Sequence, residues 1–328
     1  MKKRIAVLGD GGWGTTLAIL LSENGHQVTL WSAFEEYARI LSGTRTNPKF
    51  LPDIQIPKEI EITGNIHSAI SDKDIVILAI PSKYIRSVLE PLRGYRFQKT
   101  ILVSVVKGIE NATLMRISEI ITDIFGKIPL SVLSGPCIAY EVARKLPTAV
   151  VAASEDEKVV GVVQYVFMSD YFRVYSSTDV VGVELGGALK NIIAIAAGIL
   201  DGLEYGANTK AGLLTRGIVE ITRLGVRMGA KPQTFYGLSG IGDLITTCIS
   251  LHGRNRKVGM DIAQGQTLEQ IQKMPQVAEG ISTTWSVKQL ALKCKVEMPI
   301  TDEVYAVIYE NKNPKKSCRL IFWLDKKK

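Results

Sequence analysis

A chain of 328 residues exceeds the roughly 250–300 that one hydrophobic core organises, so two domains are expected. Hydrophobic residues at 46% and charged residues at 22% exclude a disordered chain, and the longest weakly polar stretch, residues 192–200, is far short of the ~20 residues of a membrane span. The net charge of +8 is spread along the chain apart from the lysines at 326–328, a pattern that speaks against nucleic acid and for a small anionic substrate.

The N-terminus opens on Met1, Lys2, Lys3 and Arg4, but Asp10 and the glycines interrupt the apolar run too early for a signal peptide, so a cytoplasmic protein with no integral membrane span is expected. Cys137, Cys248, Cys294 and Cys318 are scattered without a C-x-x-C pair, which argues against disulfides and zinc. In chain order, strand-like apolar runs fall at 4–8, 28–31, 75–80, 100–105 and 130–134, alternating with amphipathic stretches in the βαβ manner of a parallel sheet covered on both faces. Two further β-like runs, 149–153 and 171–175, precede a change of character at 176–179. From there the chain reads as helices, a long one through Leu200, then 210–228, 268–273 and 283–293. The fold class is therefore α/β: a parallel-sheet domain over 1–178 followed by an all-α domain over 179–328.

Gly9, Gly11 and Gly14 form G-x-G-x-x-G directly after the first strand and before a helical run. Gly9 permits the tight turn, Gly11 the close approach of a pyrophosphate and Gly14 close packing of helix on strand, so the first domain is expected to be of the Rossmann type. The diphosphate would lie at the helix N-terminus, where free N–H groups and the dipole favour negative charge. After the second strand come Ser32, Ala33, Phe34, Glu35 and Glu36. With no basic residue placed at once to clamp a 2′-phosphate, NAD is favoured over NADP, provided that Arg39, Arg45 and Lys49 do not fold back to the ribose.

Lys190 lies in a helical run beside Gly186 and Gly187, an expensive pairing that fits close approach of a cofactor or another backbone and, from this segment alone, equally a lysine on a solvated helix face with glycines serving helix packing. Lys107 follows the strand at 100–105, and Gly135 and Cys137 follow the next, both at carboxyl ends of strands, where ligands bind in open α/β sheets. The turn Gly240-Ile241-Gly242 ends in Asp243, and Arg254-Asn255-Arg256 offers guanidinium forks for a phosphate; each of these segments alone reads as a surface loop, and it is their occurrence together on a chain with a dinucleotide loop that points to a site.

These blocks, together with Ile80-Pro81-Ser82, Asn208-Thr209-Lys210-Ala211 and Ala278-Glu279-Gly280, resemble the NAD(P)-dependent glycerol-3-phosphate dehydrogenase family from Gly9 to about Tyr309. The resemblance implies interconversion of dihydroxyacetone phosphate and sn-glycerol 3-phosphate for phospholipid synthesis, by a homodimer. Lys190 matches the catalytic lysine, Lys107 a second lysine on the substrate oxygen, and Asp243 the acid that orients Lys190. A Lys190 pKa lowered by Lys107 and Arg254 would suit a proton donor. The resemblance places substrate against Lys107, Gly135, Cys137, Lys190, Asp243, Gly253, Arg254 and Asn255. It places cofactor against Gly9, Gly11, Gly12, Trp13, Gly14, Ser32, Pro81, Lys107, Ala139, Arg254, Val277 and Glu279. Cys137 and Gly253 depart from the serines usual at those positions. A related hydroxyacid dehydrogenase and a non-catalytic dinucleotide sensor are the alternatives at this point.

Overall fold

The computed structural model describes residues 2–97, 99–251, 253–273 and 278–323. The chain divides into two compact units: residues up to Val106 together with Ile117–Val180, and Lys107–Arg116 together with residues from Val181 onward.

In chain order the first unit contains β1 (Arg4–Leu8), α1 (Gly12–Glu23), β2 (Gln27–Trp31), α2 (Glu35–Thr44), β3 (Thr46–Asn47), β4 (Leu51–Gln55), β5 (Glu61–Thr63), α3 (Ile66–Ile70), β6 (Ile75–Leu78) and α4 (Ile85–Leu89). It continues with β7 (Ile101–Ser104), α5 (Ile117–Phe125), β8 (Leu130–Ser134), α6 (Ala139–Ala143), β9 (Thr148–Ala153), α7 (Glu157–Phe167) and β10 (Phe172–Ser177). Eight strands form one sheet in the order β10-β9-β8-β7-β6-β1-β2-β5. All pairs are parallel except β8 with β9, so the sheet is parallel-dominated, as the alternation of strands and helices led one to expect. The connection between those two strands holds only the short α6, and an antiparallel return does not need the longer helical crossover of a parallel one. The strands β5, β3 and β4 were not legible as apolar runs. Sheet order reverses between β1 and β6, which makes the carboxyl ends of these two strands the topological switch point where such sheets bind ligands.

The helical unit begins with α8 (Val180–Gly202) and α9 (Ala207–Arg227), followed by α10 (Asp243–Ile249), α11 (Arg254–Ala263), α12 (Leu268–Gln272), α13 (Glu279–Cys294), α14 (Pro299–Tyr309) and α15 (Pro314–Trp323). Among the described residues α8 alone is long and apolar enough to cross a membrane, yet 89% of that stretch is buried, and its apolar side chains form the centre of this unit's core. A helix apolar on all sides is what a core helix requires. The segment Lys107–Arg116, expected in the sheet domain, instead belongs here. Ile109 is buried in the helical core, Arg116 donates to Glu184 of α8 at 2.5 Å, and Ser286 of α13 donates to the carbonyl of Ile109.

Where α8 meets α11 the backbones come close through glycine. A Cβ on Gly198 would fall inside van der Waals contact of the Arg256 carbonyl, and one on Gly259 would do the same to that of Ile195. Gly198→Ala is expected to push the start of α11 outward and lower the melting temperature of the helical unit by roughly 3–10 °C, an overpacking cost of about 1–3 kcal/mol. A shift below about 1 °C in a thermal melt would show that the crossing yields freely.

Candidate active site

The loop after β1 is set by sterics. Gly9 has φ +119°, and a Cβ there would meet the Ala79 carbonyl oxygen at 2.5 Å. A Cβ on Gly14 would overlap the carbonyl oxygen of Gly9, so neither position accepts a side chain. Gly11, the N-cap of α1, has nothing within 4 Å of its ideal Cβ and no capping side chain. Geometry leaves the first N–H groups of a helix without intrahelical acceptors, so the open space at Gly11 fits a diphosphate. Gly12 packs against Ala139, whose carbonyl accepts from Thr16 Oγ1 at 3.1 Å, and Trp13 lies against Phe172 with ring centroids 6.4 Å apart. Pro81 follows β6 at the same switch point. Gly9, Gly11, Gly12 and Gly14 thus form the turn from β1 into α1, with Ala79 after β6 and Ala139 at the start of α6 beside it.

Ser32 directly follows β2, but it is fully buried and its Oγ donates to Asp10 Oδ2 at 2.6 Å. Burial raises the Asp10 carboxyl above its ordinary range, against the opposing Ser32 hydrogen bond and the Lys49 charge. Of the bases that could have reached the ribose, Arg45 donates to the Ile60 carbonyl at 2.8 Å, Arg39 pairs with Glu35 at 3.6 Å, and the Lys49 ammonium stands 5.0 Å from the Phe50 ring centre. Gly135 and Cys137 follow β8, Gly135 at φ +136° with a Cβ position 3.0 Å from Val150 Cα, so that the turn admits only glycine without strain.

In the helical unit, two lysines converge on one carboxylate. Lys190, in the middle of α8 and 5% exposed, donates to Asp243 Oδ1 and, at 2.6 Å, to Thr247 Oγ1. Lys107 donates to Asp243 Oδ2 at 2.7 Å. Asp243, 1% exposed, is the first residue of α10, where an acid is favoured by the helix dipole. The local reason for Gly186 is visible: its Cβ would strike the carbonyl oxygen of Ser239 in the turn before α10, so the glycine lets that turn bring Asp243 to Lys190. Another backbone, rather than a cofactor, accounts for it. Thr247 was missed by the sequence reading; it lies one helical turn beyond Asp243, a spacing that would have singled it out. Burial pushes the neighbouring Cys248 thiol up to about 12, which keeps it from acting as a nucleophile.

Arg254 is the first residue of α11 and exposed, and Gly253 before it is an N-cap without a capping side chain. Asn255 behaves otherwise than a simple phosphate ligand. It is buried, its Oδ1 accepts from the Gly280 N–H at 2.9 Å, and its Nδ2 donates to Asn191 Oδ1 at 2.9 Å. Asn191 in turn donates to the Lys107 carbonyl at 3.3 Å, so Asn255 is a strut joining α11, α8, α13 and the Lys107 segment. Glu279 opens α13, and Val277 lies outside the described residues.

A sheet reversing at a glycine cradle, continued in sequence by an all-helical domain that carries a buried lysine paired with a buried acid, is the arrangement of the two-domain nicotinamide-dependent dehydrogenases. Residues 4–160 match the family described as NAD-dependent glycerol-3-phosphate dehydrogenase N-terminus, and residues 179–319 match the corresponding C-terminus. The chain is 47% identical over 327 residues to a glycerol-3-phosphate dehydrogenase [NAD(P)+] of Fusobacterium nucleatum, covering 99% of this chain and 98% of that one. It is 48% identical over 325 residues to the enzyme of the same description from a Thermoanaerobacter species, again covering 99% and 98%. Among solved structures it is similar to the glycerol-3-phosphate dehydrogenase of Coxiella burnetii, with a TM-score of 0.95, 34% identity and coverage of 98% and 99%. The chain belongs to the NAD-dependent glycerol-3-phosphate dehydrogenase family.

Proposed function

We propose that the chain interconverts dihydroxyacetone phosphate and sn-glycerol 3-phosphate, with Lys190 as the proton donor and acceptor at the substrate's C2 oxygen. The observation that carries this reading is the convergence of Lys190 and Lys107 on Asp243, because a pure dinucleotide binder has no use for two ammonium groups, one buried and one half-buried, on one buried acid. When bound, the reduced nicotinamide supplies the hydride that reaches C2. As charge grows on the C2 oxygen, Lys190 donates a proton and Lys107 donates a hydrogen bond, while Asp243 and Thr247 hold the Lys190 ammonium in place. In the oxidative direction Lys190 takes the hydroxyl proton back. Arg254, with the uncapped first turn of α11, grips the phosphate, so that the remote anion fixes the reacting carbon. The product suits phospholipid synthesis, and a cytoplasmic homodimer is expected.

NAD is the preferred cofactor in this reading, because Ser32 and Ala33 provide no cation and Arg45 and Arg39 are engaged elsewhere. The test is loss of nicotinamide absorbance with dihydroxyacetone phosphate, NADH and NADPH run side by side. Turnover with NADH ahead by about tenfold or more in kcat/KM is expected. Turnover favouring NADPH would reverse the cofactor assignment alone, and turnover only with 2-oxo acids would replace the substrate with that of a hydroxyacid dehydrogenase.

A further inference from the structure

A dinucleotide-binding sheet ordinarily reads the adenine ribose with an acid at the end of its second strand. Here β2 ends at Trp31 and the next residue is the neutral Ser32, which is 0% exposed. Its hydroxyl has one proton, and the shortest acceptor is Asp10 Oδ2 at 2.6 Å, against 3.2 Å to the Phe34 carbonyl. Asp10 stands inside the glycine loop itself, between Gly9 and Gly11. Its backbone is pinned as well: the Asp10 carbonyl accepts from Asn47 Nδ2 at 2.7 Å and from Thr15 Oγ1 at 3.2 Å, while Tyr37 donates to Asn47 Oδ1 at 2.7 Å. The neighbouring Gly11 faces open space.

We propose that Asp10 is the specificity-determining acid of the cofactor site, supplied from the first loop instead of from the end of β2. One carboxylate oxygen is anchored by Ser32, and the other accepts from the ribose 2′-hydroxyl and repels a 2′-phosphate. This rests on the dinucleotide assignment of the loop and deepens it: the ligand class is the unphosphorylated adenosine ribose of NAD.

The test uses fragments that cannot turn over. Wild-type protein and the Asp10→Asn and Asp10→Ser variants are titrated by calorimetry with ADP-ribose and with 2′-phospho-ADP-ribose. The wild type should bind ADP-ribose about tenfold or more tightly than its phosphorylated counterpart, and the preference should shrink to within about threefold in both variants. ADP-ribose should weaken and the phosphorylated ligand should tighten. If the variants bind ADP-ribose but keep the full preference, Asp10 is not the discriminating group. A wild type that prefers the phosphorylated fragment overturns the proposal without reference to any variant. Binding of neither fragment by the wild type would instead remove the dinucleotide assignment on which it rests.

Discussion

Lys190→Ala should lower kcat by about 10²–10⁴-fold, the range that positioned general acids contribute, while the dissociation constant for NADH stays within about twofold of the wild type. The separation is expected because the glycine cradle lies in the sheet unit, whereas Lys190 sits in the core of the helical one. Truncation does not strand Asp243, which keeps its 2.7 Å hydrogen bond from Lys107, so the fold should survive. Lys190→Arg sharpens the experiment. A guanidinium keeps the positive charge but does not give up its proton near neutral pH, so a donor role predicts that arginine rescues little. Substantial rescue by arginine would mean that the residue acts through its charge alone, and wild-type-like turnover in the alanine variant would remove it from the chemistry.

How much of this could be read beforehand depended on whether the signal was local. The glycine loop was legible because its spacing falls between a strand and a helix, and β1, β6 and β7 because buried parallel strands are largely continuous apolar runs. The strand β5 was not, since Glu61 and Thr63 flank a single isoleucine at the sheet's edge, and β3 is two residues long. The candidate catalytic residues were visible as types beside glycines, yet their meeting was not. Lys107 and Asp243 are separated by 136 positions, and only the fold shows that the segment after β7 leaves the sheet to pack on α8. Asn255 carries a second task that sequence does not show: its carboxamide bonds Gly280 and Asn191, an arrangement that depends on three helices at once. The hydrogen bond of Ser32 to Asp10 was equally out of reach, since it joins the residue after β2 to the loop after β1 across 22 positions.

Asp243 is where stability and chemistry are most tightly joined, and the two can be separated by comparing Asp243→Ala with Asp243→Asn. The carboxylate is 1% exposed and accepts from two lysines, so its removal in the alanine variant leaves two ammonium groups facing each other with no counter-charge. Breaking a buried pair from one side costs about 3–5 kcal/mol, which for a unit of this size is a fall in melting temperature of roughly 6–20 °C. Asparagine retains the shape and can still accept one hydrogen bond, so its thermal loss should be smaller. Its effect on kcat should nonetheless be about 10²-fold or more, because a neutral amide no longer stabilises the ammonium that donates the proton. The melting temperature read against kcat for the two variants then decides the role. If Asp243→Asn melts lower but turns over at more than half the wild-type rate, the acid is a structural counter-ion only. If it melts near the wild type and turns over slowly, the carboxylate orients and charges Lys190 as proposed.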